Sequence, residues 1–497
     1  MNRAVPSFAV ALLALGACGD NSEGIPDEIL PESVYAARCA APRSGIDPTT
    51  NQPFVDTAGS ALDEKLWLRS WIDDLYLWYH EVPSVDLNAY TDPVDYFDQL
   101  KTPARTPSGK AKDQFHFIYK TSDWVALSQS GTEASYGLQW ALLASSPPRS
   151  LLVAYIQPGS PADTAHLARG ARIVTIDGVD VQSGSDVTTL NNGLFPANLN
   201  ETHKFVVLDP GASATRMVSL TSTSIAITPV QNVGTLPAPN DKVGYIHFTD
   251  HIATAEKELV DAVTQLRGKA ITDLILDMRY NGGGYLDIAS ELAYMIAGPT
   301  ATAGKTFERL TFNDKHPTTD PVTGQPLQPE SFVDHTEGFS LAPGQALPFL
   351  GTSGLSRVFI LTGSGTCSAS ESVMNSLAGV DVQVIQIGET TCGKPYGFYP
   401  ADNCGTTYFA IQFQGVNNKG FGDYADGFVP GGILKGCTVA DDFSHALGDP
   451  AEARIAAALA YRASGTCPAV TARRGAESTE HTVIPKPPWR QNRIFRR

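Results

Sequence analysis

The sequence predicts a multidomain α/β protein with a helical N-terminal region, a β-rich middle unit and a core in which strands alternate with helices. Three observations predict it. Residues 61–80 place Leu66, Trp67, Trp71, Leu75 and Trp78 at helical spacing. Residues 134–227 read as short strands broken by Pro/Gly turns. From residue 243 onward, apolar strand patterns and amphipathic helical patterns take turns.

At 497 residues the chain is long enough for several domains, and 18% charged against 42% hydrophobic side chains indicates that most of it is globular. The balance of 36 basic and 52 acidic side chains argues against nucleic acid or an anionic lipid surface as the main partner. Met1–Arg3 and the apolar run Phe8–Leu15 read as an export signal over 1–17, too short to span a bilayer. Leu15-Gly16-Ala17-Cys18 resembles a bacterial lipobox. It predicts lipidation at Cys18, a tether over 18–45, and an exported body in the periplasm or outside the cell, held to a membrane by lipid alone.

The N-terminal helical domain is expected over 46–130, with helices at 61–80 and 94–100 and a polar linker or mobile loop at 101–112. In 134–227, strand-like YGLQWALLA and LLVAYI lead into Pro158-Gly159-Ser160-Pro161-Ala162, a short helix, a strand and the turn Asp177-Gly178. That order resembles a PDZ domain. The resemblance implies that an extended peptide adds beside the first strand and that Tyr136-Gly137-Leu138 forms the loop holding its terminal carboxylate.

The core is expected over 235–467. Strands are predicted at 243–248, 273–278, 357–363 and 382–388, and helices at 255–267, 285–298 and 448–461. Residues 300–350 read as an inserted loop or small β extension, and 468–497 as a disordered tail. Two strand ends carry the chemistry. GTCSASES (365–372) delivers Ser368 after one strand, and GETTCGK (388–394) delivers Lys394 after the next. Serine needs a nearby base, and lysine serves as one only when desolvated. Bringing its pKa from about 10.4 to about 7 costs roughly 4–5 kcal/mol. Alone, a Ser-rich stretch also suits a helix cap, and a Gly-Lys pair suits a solvated turn.

Setting Cys18 aside leaves six cysteines, an even number that favours disulfides in an exported chain. If Ser368 and Lys394 meet, the sulfurs of Cys367 and Cys392 lie close enough to bond. Cys404–Cys437 is the second expected pair, which leaves Cys39 with Cys467. No CxxC spacing supports a metal, and no cofactor is expected.

The ordered set of PDZ-like unit, LILDMRYNGGG (274–284), TCSASE and GETTCGK resembles the C-terminal processing (tail-specific) serine peptidases, over roughly residues 60–465. The resemblance implies a crotonase-like α/β peptidase core, Ser368 as nucleophile and Lys394 as general base. It also implies an oxyanion hole from the N–H of Ala369 and of Gly283 or Gly284, and protein or peptide substrates with free C-termini. Asp277 and Arg279 are expected to brace the glycine loop. Where some members carry a glutamine to orient the lysine, this chain has Phe398. A related branch uses a histidine base, and His247 and His251 lie near the core's first strand, where surface or packing roles explain them better. Two other functions remain open: an inactive PDZ-bearing binding lipoprotein, and a hydrolase of small esters.

Overall fold

The structure is a computed structural model that describes residues 28–47, 50–468 and the backbone of 493–495. The signal segment, Cys18 and most of the expected tail lie outside the described residues. Among the described residues no helix is long and apolar enough to cross a membrane.

The core is a six-stranded sheet in the order 230–235, 243–248, 273–277, 357–362, 383–388, 435–438. The first pair is antiparallel and every later pairing is parallel. Alternation along each strand divides its side chains between two layers. Ile246, Phe248, Leu274, Leu276, Val358 and Ile360 pack under helices 255–268, 286–302 and 369–379. Val243, Tyr245, Ile275, Phe359, Leu361, Ile385 and Ile387 pack against Ile455, Ala457 and Ala458 of helix 453–464. Such covered strands read as unbroken apolar runs. The loops at the carboxyl ends of three adjacent strands carry residues 278–284, 363–368 and 389–394.

The first helix spans Ala61–Leu75, capped by Ser60 and Asp63 exchanging hydrogen bonds. It ends short of the expected 80 because Leu77 N–H donates to the carbonyl of Ile411, drawing the backbone out of the helix. Trp67 and Trp71 stack at 5.6 Å within an aromatic cluster that includes Phe97, Phe117, Tyr408 and Phe409. Residues expected as tether include Tyr35 and Cys39, both buried in or beside this cluster.

The middle unit is an antiparallel sheet in the order 216–221, 202–208, 172–176, 150–156, 138–144, with helices 161–164 and 187–194. Strand 306–311, within the expected insertion, pairs with 413–416, which in turn pairs with 396–397 just beyond Lys394.

The disulfides are Cys367–Cys392, as expected, with Cys39–Cys404 and Cys437–Cys467. The expected Cys404–Cys437 and Cys39–Cys467 pairs are corrected. The N-terminal segment folds onto the 401–409 hairpin, where Ala37 N–H donates to Asn403 Oδ1 at 2.9 Å, so Cys39 meets Cys404. Cys467 follows helix 453–464 back to the sheet-edge strand 435–438, which carries Cys437.

A buried charged cluster joins the middle unit to the core. Arg279 bonds Asp277 at 2.9 Å, Glu452 at 2.7 Å and Asp441 at 2.6 Å. Arg169 of the middle unit reaches Tyr280 Oη at 2.6 Å and Asp441 at 2.5 Å. Burial raises the Asp441 pKa, but the guanidiniums of Arg279, Arg454 and Arg169 outweigh it and hold the carboxyl well below its usual range. A depressed folded pKa means this contribution is complete above about pH 4 and is lost as pH falls further. Asp441→Ala is expected to lower the unfolding free energy by about 3 kcal/mol at pH 7, and by less near pH 3, measured by denaturant titration.

Candidate active site

Ser368 stands directly before helix 369–379 with φ +63° and ψ −120°, a left-handed backbone that a residue with a Cβ adopts only under strain. A sharp strand-to-helix turn of this kind lifts a side chain at the end of a sheet. Ser368 is fully buried, and its Oγ makes no hydrogen bond among the described residues.

The turn is held by Glu371, also fully buried. Its Oε2 accepts from the N–H of Ser368 at 2.9 Å and from the N–H of Lys394 at 2.8 Å. Its Oε1 accepts from Gly393 N–H at 2.9 Å and Thr391 Oγ1 at 2.5 Å. The two expected catalytic residues therefore hang by their backbones from one oxygen atom. Burial pushes the Glu371 pKa up, while Thr391 and the three amides pull it back toward ionisation. The Cys367–Cys392 disulfide and the bond from Cys392 N–H to Thr366 O at 3.0 Å close the same two loops.

Lys394 is fully buried. Its Nζ lies 4.0 Å from the ring centre of Phe398 and 5.0 Å from that of Phe115. Phe398, in the position where a glutamine was the expected orienting group, instead lays an apolar ring against the amine. The structure shows no direct hydrogen bond from Ser368 Oγ to Lys394 Nζ.

The glycine loop is equally constrained. Gly283 N–H donates to Asn281 Oδ1 at 2.9 Å, so that amide is already engaged. Gly283 C=O accepts from His251 N–H at 3.1 Å. In a trans peptide the N–H of Gly284 points opposite to that carbonyl. It therefore faces the outer edge, where residues 493–495 run parallel to 283–285. Of the two expected glycine donors, Gly284 is the one turned away from His251, toward the paired segment 493–495; Ala369, at the start of the serine helix, is fully buried. Gly284 has φ +145°, and a Cβ there would stand 2.4 Å from His251 O. The nucleophile turn joins this loop directly: Asn281 O accepts from Cys367 N–H and from Ser370 Oγ, each at 3.1 Å.

Asp277 and Arg279 lie behind the loop in the charged cluster. His247 packs edge-on to Tyr155 at 5.1 Å, its pKa pushed down to about 4 mainly by burial. Tyr136, Gly137 and Leu138 sit at the mouth of the middle-unit sheet. Gly137 has φ +74°, and a Cβ there would stand 2.2 Å from Ser160 Cβ. Tyr136, Leu138, Trp140, Leu194 and Phe195 line a cleft that continues to Thr249 and Asp250 of the core.

Sequence reasoning passed over Glu371, Asn281 and Phe115. Glu371 had a readable signal, since Ser368-Ala369-Ser370-Glu371 has the S-x-x-E spacing of a capping box.

Residues 242–398 match peptidase family S41, and residues 63–115 match the peptidase S41 N-terminal domain. The chain belongs to peptidase family S41. The S41 chain is similar to the carboxyl-terminal-processing protease of Picosynechococcus sp., 31% identical over 34% of this chain and 40% of that protein. It is also similar to the carboxyl-terminal-processing protease of Synechocystis sp., 29% identical over 48% of this chain and 47% of that one. The match thus spans less than half the length of these curated relatives. An S41 protease structure from Bacteroides fragilis shares the fold at 23% identity and a TM-score of 0.60, covering 80% of this chain and 97% of that one.

Both Glu371 oxygens face donors, so an amide at this position must turn an NH2 toward two of them. Glu371→Gln is expected to cost about 2 kcal/mol of stability in denaturant titration.

Proposed function

We propose that this S41 chain is an exported serine endopeptidase that hydrolyses peptide bonds through an acyl-enzyme, with Ser368 as nucleophile and Lys394 as base. The observation that carries the reading is Glu371 Oε2, which receives the backbone N–H of both residues. The strained backbone of Ser368 and the burial of Lys394 against two rings support it.

In this mechanism the uncharged Lys394 amine accepts the Ser368 hydroxyl proton as Oγ bonds to the scissile carbonyl carbon. With residues 493–495 displaced from the edge of 283–285 by substrate, the N–H groups of Gly284 and Ala369 receive the resulting oxyanion. The C–N bond breaks, Lys394 returns the proton to the leaving amine, and water then releases the acyl group by the reverse sequence. No step calls on a metal or cofactor.

The middle unit acts in this reading as a PDZ-like module for protein or peptide C-termini. Its cleft sets Tyr136, Leu138, Trp140, Leu194 and Phe195 beside the polar Glu133 and Gln157, and it reaches Thr249 and Asp250, next to His251. Lipidation of Cys18 would hold the body to a bacterial membrane. A second reading, an inactive peptide-binding lipoprotein, is favoured by one observation: Ser368 Oγ has no hydrogen-bond partner among the described residues.

Cleavage of an unstructured protein such as casein separates the two. Ser368→Ala and Lys394→Ala are each expected to lower turnover at least about 1000-fold with folding intact. Undiminished cleavage by either variant rejects the dyad, and an inactive wild-type chain favours the binding reading.

A further inference from the structure

The sequence leaves His251 as a surface or packing residue, yet it touches the glycine loop at three points. Its N–H donates to Gly283 O at 3.1 Å, its C=O accepts from Tyr285 N–H at 2.8 Å, and its Nδ1 meets Asn281 Oδ1 at 3.0 Å. The tautomer follows from the neighbours. Asn281 Nδ2 donates to Phe248 O at 3.1 Å, and Asn281 Oδ1 already accepts from Gly283 N–H. The atom facing His251 is therefore an acceptor, so Nδ1 carries the proton and Nε2 is bare.

Nε2 is buried without a hydrogen-bond partner among the described residues. Burial pushes the ring pKa down to about 3 against the opposing pull of Asn281 and Gly283, so the imidazole is neutral at ordinary pH. It stands ready as a fixed donor rather than a charge.

We propose that His251 is a positioning residue for the oxyanion site: its Nδ1–H holds Asn281, and Asn281 sets both the glycine loop and the serine turn. This rests on the peptidase reading above. The two peptide planes that meet at Gly283 are fixed separately. Asn281 Oδ1 holds the N–H of Gly283, and the backbone of residue 251 holds its C=O, which turns Gly284 N–H to the opposite edge, where residues 493–495 pair. Asn281 O also binds Cys367 N–H and Ser370 Oγ, on either side of Ser368. Without the Nδ1–H, the Asn281 side chain keeps Gly283 and Phe248 but loses one of the three contacts that hold it in place. Misalignment then falls on the charge-developing step rather than on ground-state binding.

His251→Asn and His251→Leu test this. Asparagine Nδ2 can donate from near the position of Nδ1, whereas leucine fills the space without a donor. In steady-state peptide cleavage, His251→Leu is expected to lose kcat by about 100-fold, the scale of one oxyanion donor, with KM changed less than about twofold. His251→Asn should stay within about fivefold of wild type. Wild-type kcat in His251→Leu, or equal loss in both variants, overturns the proposal; equal loss would mean that Nε2 itself is needed.

Ser368→Ala in the same assay reports on the peptidase reading by itself. Should the wild-type chain not cleave, amide exchange over 281–285 decides the positioning role. Faster exchange in His251→Leu but not His251→Asn upholds it, and the same rate in both overturns it.

Discussion

One buried carboxylate organises this molecule's candidate chemistry. Glu371 spends all of its hydrogen-bonding capacity on two loops that leave different strands, and both loops end on the residues of interest. A buried carboxylate is costly unless saturated with donors. Any movement that separates Ser368 from Lys394 must therefore strip hydrogen bonds from a carboxyl group in an apolar interior. The strain in the Ser368 backbone, of order 1–3 kcal/mol, is held by the same bonds. The disulfide between Cys367 and Cys392 makes the arrangement covalent as well.

Around that clamp the structure builds two supporting frames. Asn281 connects the glycine loop to the serine turn through its carbonyl and, through its side chain, connects both to His251. Behind it, Arg279 and Tyr280 belong to the charged cluster shared with Asp441, Glu452 and Arg169. Residues 281 and 282 thus lie between a buried ionic network and an oxyanion candidate. Loop geometry that depends on so many satisfied polar groups is rigid, which is what electrostatic stabilisation of a transition state requires.

Much of this was legible in the sequence. The core strands read as apolar runs because both of their faces are covered, and their alternation with helices located the strand ends where Ser368 and Lys394 stand. Cys367–Cys392 could be anticipated because each cysteine adjoins or nearly adjoins one of those residues. The other two disulfides could not, because they depend on where the N-terminal segment and the last helix return to the body. The early end of the first helix was equally hidden, since a tertiary bond to Ile411 draws the chain away while the apolar spacing continues through Trp78. The role of Phe398 was hidden as well. Read as a missing polar partner, it lays an apolar ring against Lys394, a contact that depends on three-dimensional placement.

The account stands on Lys394 activating Ser368 within the Glu371 clamp, and covalent labelling tests that directly. A fluorophosphonate probe followed by intact mass and peptide mapping should show one adduct per chain, on Ser368, in the wild-type protein. Labelling should slow sharply in Lys394→Met. An unlabelled Ser368 in the folded wild-type chain, or equal labelling rates with and without the lysine, would contradict the account.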